Sequence, residues 1–141
     1  MKNLLFKVTL AALLMLLVNA CGSTCKMSIK KHFASNPWEI STLKGSSPDA
    51  NEFRTGLPFL LFDKKGKMTR STGCNNMSGS YQLNKSEIAF NPGATTRMAC
   101  QGNGESMFLE ALKQVKNFKF DGDKLILLSG TEEIMTLVPK K

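Results

Sequence analysis

Ser71-Thr72-Gly73-Cys74-Asn75-Asn76-Met77-Ser78-Gly79-Ser80-Tyr81 and its later counterpart Asn91-Pro92-Gly93-Ala94-Thr95-Thr96-Arg97-Met98-Ala99-Cys100 occupy the middle of a 141-residue chain. Both stretches are polar, both contain glycine, and each carries one cysteine. Asn75 and Asn76 have short side chains that bond back to the backbone in tight turns. Arg97 can span the two stretches or stay free to meet an anion. Three readings of Cys74 and Cys100 are open. A disulfide would lay the two stretches side by side and contribute roughly 3–4 kcal/mol. Two reduced core thiols are the second reading. A metal or redox site with Cys25 and the single histidine, His32, is the third, and spacing argues against it. Zinc sites usually place ligands in close pairs, and no two cysteines are separated by two residues as a thioredoxin-like motif needs.

The flanking sequence reads as short strands. Trp38 to Leu43 alternates, with Trp38 and Ile40 on one face. Lys44 to Phe53 is rich in turn formers and predicts a loop. Leu57 to Phe62 and Lys67 to Thr72 flank Asp63-Lys64-Lys65-Gly66, a hairpin turn with Gly66 suited to positive φ. Ser78 to Leu83 and Glu87 to Phe90 form a second pair. The period then changes: over 105–116, Phe108, Ala111, Leu112 and Val115 share one helical face. Asn103 can cap its start, Glu105 lies in the first turn, and Lys113 and Lys116 lie in the last, as the helix dipole prefers. Strands return at Asn117 to Phe120, Leu125 to Leu128 and Ile134 to Val138. The fold class is α+β: one domain with a curved antiparallel sheet of about seven or eight short strands and one packed helix. Closure into a barrel would remove exposed edges, but local sequence does not decide it.

The N-terminus sets the expected compartment. Lys2 and Lys7 precede an apolar run from Val8 to Val18 that only Thr9 interrupts, and Asn19-Ala20-Cys21-Gly22 follows. A positive start, a short apolar run and a small residue before a cut site make a signal peptide, and the run falls short of the ~20 residues of a membrane span. Val18-Asn19-Ala20-Cys21 resembles the lipobox of bacterial prolipoproteins. The expected organisation is a signal peptide over 1–20, a lipidated Cys21 with a tether over 21–35, the domain over 36–138 and a tail over 139–141. The expected location is the cell envelope, anchored through lipid on Cys21, with Gly22 resembling outer-membrane sorting toward the periplasm and surface exposure left open. Such a compartment permits disulfides, which favours the Cys74–Cys100 bridge and leaves Cys25 as the odd thiol.

Charge and motif content narrow the function classes. Removing Lys2 and Lys7 leaves 17 basic against 11 acidic residues, lowering the formal charge from +8 to +6. Only three residues are arginine and no dense basic stripe exists, so no nucleic-acid partner is expected. His32 falls in the expected tether, no nucleophile elbow surrounds a serine, and no phosphate-cradling glycine loop with its lysine is present. Asp63, Glu87, Glu105, Asp121 and Asp123 fall mostly in turns or helix ends, where a solvated role outweighs a catalytic pair. No catalytic residue, metal or cofactor is expected.

The central residues resemble a META domain. The resemblance is carried by Trp38, by Phe59 with Phe62, by Gly73-Cys74-Asn75 followed by Ser78-Gly79-Ser80-Tyr81, and by Thr95-Thr96-Arg97-Met98-Ala99-Cys100. Glu105, Phe108, Leu112 and the run from Leu125 to Leu128 continue it, so it covers about residues 36–138. After Cys100 the chain reads Gln101-Gly102-Asn103 in place of a proline often found there. The resemblance implies a compact α+β domain in an envelope lipoprotein or secreted protein, in some members linked to stress or drug tolerance, and implies no catalytic mechanism. The leading expectation is a tethered, non-enzymatic interaction module whose patch centres on Asn75, Asn76, Tyr81, Thr96 and Arg97 and whose partner is an envelope protein or polymer. A structural role for the same residues competes with it. The alternatives are an envelope-integrity protein without a discrete ligand and a hydrolase.

Overall fold

The computed structural model describes residues 28–141; the expected signal peptide, Cys21 and Cys25 lie outside them. Eight strands form a closed antiparallel barrel in chain order: β1 (Trp38–Leu43), β2 (Phe59–Phe62), β3 (Lys67–Ser71), β4 (Asn76–Asn84), β5 (Glu87–Thr95), β6 (Asn117–Asp121), β7 (Lys124–Ser129) and β8 (Glu132–Pro139), with β8 returning to β1. The helix α1 (Gly104–Gln114) lies in the β5–β6 connection. Closure thus answers what the sequence left open, and every strand has two neighbours. No helix among the described residues is long and apolar enough to cross a membrane.

Alternation puts one ring of side chains into register across the wall. Trp38 stands opposite Leu60, Leu60 opposite Arg70, and Arg70 opposite Met77. A second ring runs from Ile40 through Leu137 to Leu125 and Phe120. In β1 the register shifts between Ile40 and Thr42, so that Leu43 pairs with Met135. This bulge turns Leu43 inward, where strict period-two alternation from Ile40 would have placed Thr42. β7 is buried on both faces from Leu125 to Leu128, which is why its sequence reads as an unbroken apolar run.

The long polar strands of the second hairpin approach closely. A Cβ on Gly93 would come within 2.6 Å of the Ser78 carbonyl oxygen, so only glycine lets β5 pass β4 at that point. The register shift between Met77 and Gly79 lies beside it. β5 extends to Thr95, five residues past the expected end at Phe90.

The β5–β6 seam is the thinnest, with Glu87 paired to Asn117 and backbone bonds from Ile88 N to Lys116 O (3.0 Å) and from Phe118 N to Ser86 O (2.9 Å). Packing supplements it. α1 adds Phe108, Ala111 and Leu112 to the core. Residues 28–33 are helical, although the sequence places them in the tether. Their Phe33 is 0 % exposed and meets Phe62, Phe118 and Phe120 edge-on at centroid distances of 5.0, 4.9 and 5.3 Å. The Trp38 Nε1–H donates to the Phe33 carbonyl oxygen at 2.8 Å, tying this helical segment to β1. At the other terminus Pro139, expected in the tail, pairs with Trp38. Truncating Phe33 should therefore cost as much as a core deletion: Phe33→Ala is expected to lower unfolding stability by about 3–5 kcal/mol, read from the denaturant midpoint at unchanged slope. A loss under about 1 kcal/mol would show that residues 28–35 are a tether after all.

Candidate functional site

The turn between β3 and β4 is built from its own polar residues. Thr72 Oγ1 accepts from Asn75 N at 2.8 Å, and Thr72 N donates to Asn75 O at 2.8 Å. The Thr72 hydroxyl also faces Asn75 O at 2.9 Å and the Glu105 carboxylate, and its single proton serves one of them at a time. Gly73 has φ +81°, and a Cβ there would lie 2.9 Å from the Gly56 carbonyl oxygen. The loop after β1 presses on this turn, with Phe53 buried and Thr55 N donating to Gly73 O at 2.9 Å.

Asn75 is buried, and its side chain joins three parts of the chain. Its Oδ1 accepts from Met98 N at 2.7 Å and from Thr96 Oγ1 at 2.9 Å. Its Nδ2 donates to Met98 O at 3.2 Å and to Glu105 Oε2 on α1 at 3.0 Å. Beside it, Cys74 and Cys100 form a disulfide with a Cα–Cα distance of 6.0 Å, as the leading reading of the two cysteines expected. The segment from Thr96 to Cys100 is thus pinned at both ends, and Arg54 Nη1 reaches the Ala99 carbonyl oxygen at 3.4 Å.

The expected patch divides. Asn75 and Thr96 meet directly. Asn76 is exposed, its N–H donating to Thr96 Oγ1 at 3.0 Å. Arg97 is exposed and makes no hydrogen bond or ion pair with the described residues, so it does not span the two segments. Met98 beside it is 48 % exposed. Tyr81 does not belong with them. It is buried at the level of Phe33 and Phe62, and its hydroxyl donates to the Asp63 carbonyl oxygen at 2.7 Å, bracing the β2–β3 hairpin. Next to Thr96, a groove of about 440 Å³ is lined by Phe59, Thr69, Asn76, Met77, Ser78 and Thr95, among others.

Acidic groups find local work. Asp63 Oδ1 accepts from Lys65 N and Lys67 N at 2.8 and 2.7 Å, shaping the hairpin turn. Glu87 accepts from Asn84 at 3.0 Å. Asn103 precedes α1 but makes no side-chain cap bond; its N–H donates to Glu52 Oε2 at 2.6 Å instead. No group of three His, Cys, Asp or Glu residues among the described residues could hold a metal ion.

One buried charged residue was not singled out from the sequence. Arg70 is 5 % exposed and faces the barrel interior in the ring with Leu60 and Met77. Its Nη2 touches Met77 Sδ, and its Nε has no hydrogen-bond partner among the described residues. Burial pushes its pKa down to about 10, so it remains a cation at neutral pH. The alternation of Lys67 to Ser71 held the clue, because it puts Arg70 on the face of Met68.

A family model described as META domain matches residues 31–141. Among solved structures, a DUF4847 family protein from Bacteroides vulgatus ATCC 8482 superposes with a TM-score of 0.59 at 16 % identity, over 80 % of this chain and 98 % of that one. A protein from Burkholderia xenovorans, solved by NMR, superposes with a TM-score of 0.60 at 20 % identity, over 81 % and 88 %. A third, also an NMR structure, gives 0.60 at 19 % identity, over 78 % and 93 %. At such identities these structures share the fold alone. No curated protein matches the chain.

Tyr81 offers a direct check of this geometry, since it is the chain's one tyrosine. Burial first, and then the Asp63 charge, raise its phenol from 10.0 to about 12. A raised acid stabilises the fold below its unfolded pKa, and that contribution is lost as pH climbs from about 10 to about 12. Tyrosinate absorbance of the folded chain should therefore rise near pH 12, and near pH 10 once the chain is unfolded in denaturant. Coincident curves would place Tyr81 in water.

Proposed function

Because the chain belongs to the META domain family, we propose that it is a non-catalytic binding module held at the bacterial cell envelope by lipid on Cys21 and engaged in stress tolerance. The observation that carries the binding reading is the segment from Thr96 to Ala99: its backbone is fixed from below while Arg97 and Met98 project outward. A surface already ordered loses little conformational freedom on association, and exposed Arg and Met are residue types that interfaces favour. Arg97 would meet a negatively charged group on an envelope protein or polymer, and the neighbouring groove would take the flanking contacts. The anchoring half of the proposal rests on the lipobox-like Val18-Asn19-Ala20-Cys21. More than one acyl chain on Cys21 would hold the protein stably at its membrane.

A second reading, an envelope-integrity protein without a discrete ligand, draws on Asn75. All of its side-chain bonding capacity is spent inside the domain, so that part of the patch acts through stability alone.

Two experiments separate these claims. Cys21→Ser is expected to abolish palmitate labelling in growing cells and move the protein from the membrane to the soluble envelope fraction; a membrane-bound, unlabelled variant would refute the anchor. The full chain is expected to give a crosslinked product in intact cells, and Arg97→Ala to remove it while shifting Tm by less than about 3 °C, as surface substitutions do. A large loss of Tm with crosslinking unchanged would favour the second reading.

A further inference from the structure

Alternation along β3 leaves a guanidinium inside the barrel wall, and the space beside it is not filled. A cavity of about 290 Å³ lies between α1 and the strands β3 to β5, lined by Arg70, Met77, Phe90, Leu109, Leu112, Lys113 and Val115. Five of the seven are apolar. The other two are cations, and no acidic side chain lines the cavity among the described residues. A buried charge without a partner is costly, and proteins ordinarily pair it. Here no carboxylate among the described residues pairs with Arg70, and its Nε–H has no partner among them.

The geometry therefore points to a ligand: we infer that this cavity binds a small organic carboxylate with an apolar body. The carboxylate accepts from the Arg70 Nε–H, a charge-assisted hydrogen bond. Lys113, on an exposed position of α1, adds a second positive charge at the same cavity. The body packs among Phe90, Leu109, Leu112 and Val115. At ~30 Å³ per heavy atom, the volume a water takes in the liquid, the cavity holds roughly ten heavy atoms, the size of octanoate. A phosphate or sulfate alone would fill the charged end and leave the apolar wall bare. A neutral lipid tail would leave Arg70 unpaired.

Isothermal titration of the full chain with sodium octanoate tests the site, with octanol as the uncharged match and acetate as the head group alone. Octanoate is expected to bind saturably at one site per chain, at least roughly tenfold tighter than either control, the difference that one charge-assisted hydrogen bond makes. Arg70→Met should weaken octanoate binding by roughly tenfold or more. Leu109→Trp, which fills the cavity from a half-buried position, should weaken it similarly with Tm retained. The controls need no variant to fold. Absence of saturable octanoate binding, octanol or acetate binding as tightly as octanoate, or octanoate binding unchanged in a folded Arg70→Met or Leu109→Trp chain would each overturn the site.

Discussion

The Asn75 side-chain amide is the point at which the two polar segments and the helix become one structure. A carboxamide has two N–H donors and one carbonyl oxygen that accepts twice. In Asn75 all four are used, on Thr96, on both backbone groups of Met98, and on Glu105. The disulfide alone would hold Cys74 near Cys100 without fixing how the intervening residues lie. The amide supplies the missing register, because it grips the backbone of Met98 by its N–H and its carbonyl oxygen together. Glu105 then carries the constraint into α1, and Thr72 returns it to the turn. In a buried network of this kind each bond polarises the next, and losing one partner strands several others.

What the network does locally, aromatic packing does for the barrel. A sheet whose β5–β6 seam is paired at Glu87 and Asn117 needs its closure held from within. Phe33 contacts rings from β2, β4 and β6 at once, so it couples strands that the backbone does not join directly. α1 acts at another level, bringing Phe108 and Leu112 into the same core while Glu105 at its first turn meets the Asn75 network. The helix therefore serves the core and the signature turn with opposite parts of one short element.

The strands were legible where alternation was clean, and the hairpin at Asp63 to Gly66 was legible from its turn residues. Two departures have physical causes. The bulge after Ile40 changes which residue faces inward, and nothing in Ser41 or Thr42 announces it. β5 runs past Phe90 through Asn91 to Thr95 because it needs only β4 as a partner there, so its polar side chains face outward and carry no apolar pattern. Phe33 was hidden for the opposite reason. A single large ring in a stretch without periodicity has no sequence partner to reveal it, and its significance appears only when Phe62, Phe118 and Phe120 converge on it. At the site, Asn75, Asn76 and Thr96 were found by composition and resemblance. Tyr81 was grouped with them by chain proximity, although it lies well along β4 from the turn.

Two arginines sharpen the contrast between placement and charge. Arg97 stands in water, where an unpaired cation costs nothing. Arg70 stands in a ring otherwise made of Trp38, Leu60 and Met77, where it costs desolvation and leaves Nε without a bond. A residue such as methionine or leucine would fill that position without the penalty, since apolar replacements of buried charges are often neutral or stabilising. The barrel's stability therefore does not account for Arg70. Nor does the signature turn, whose bonds run through Thr72, Asn75 and Glu105 and never reach the guanidinium. A positive charge that the fold does not need, set beside an unfilled apolar space with Lys113 at its margin, is accounted for when the partner arrives from outside the chain.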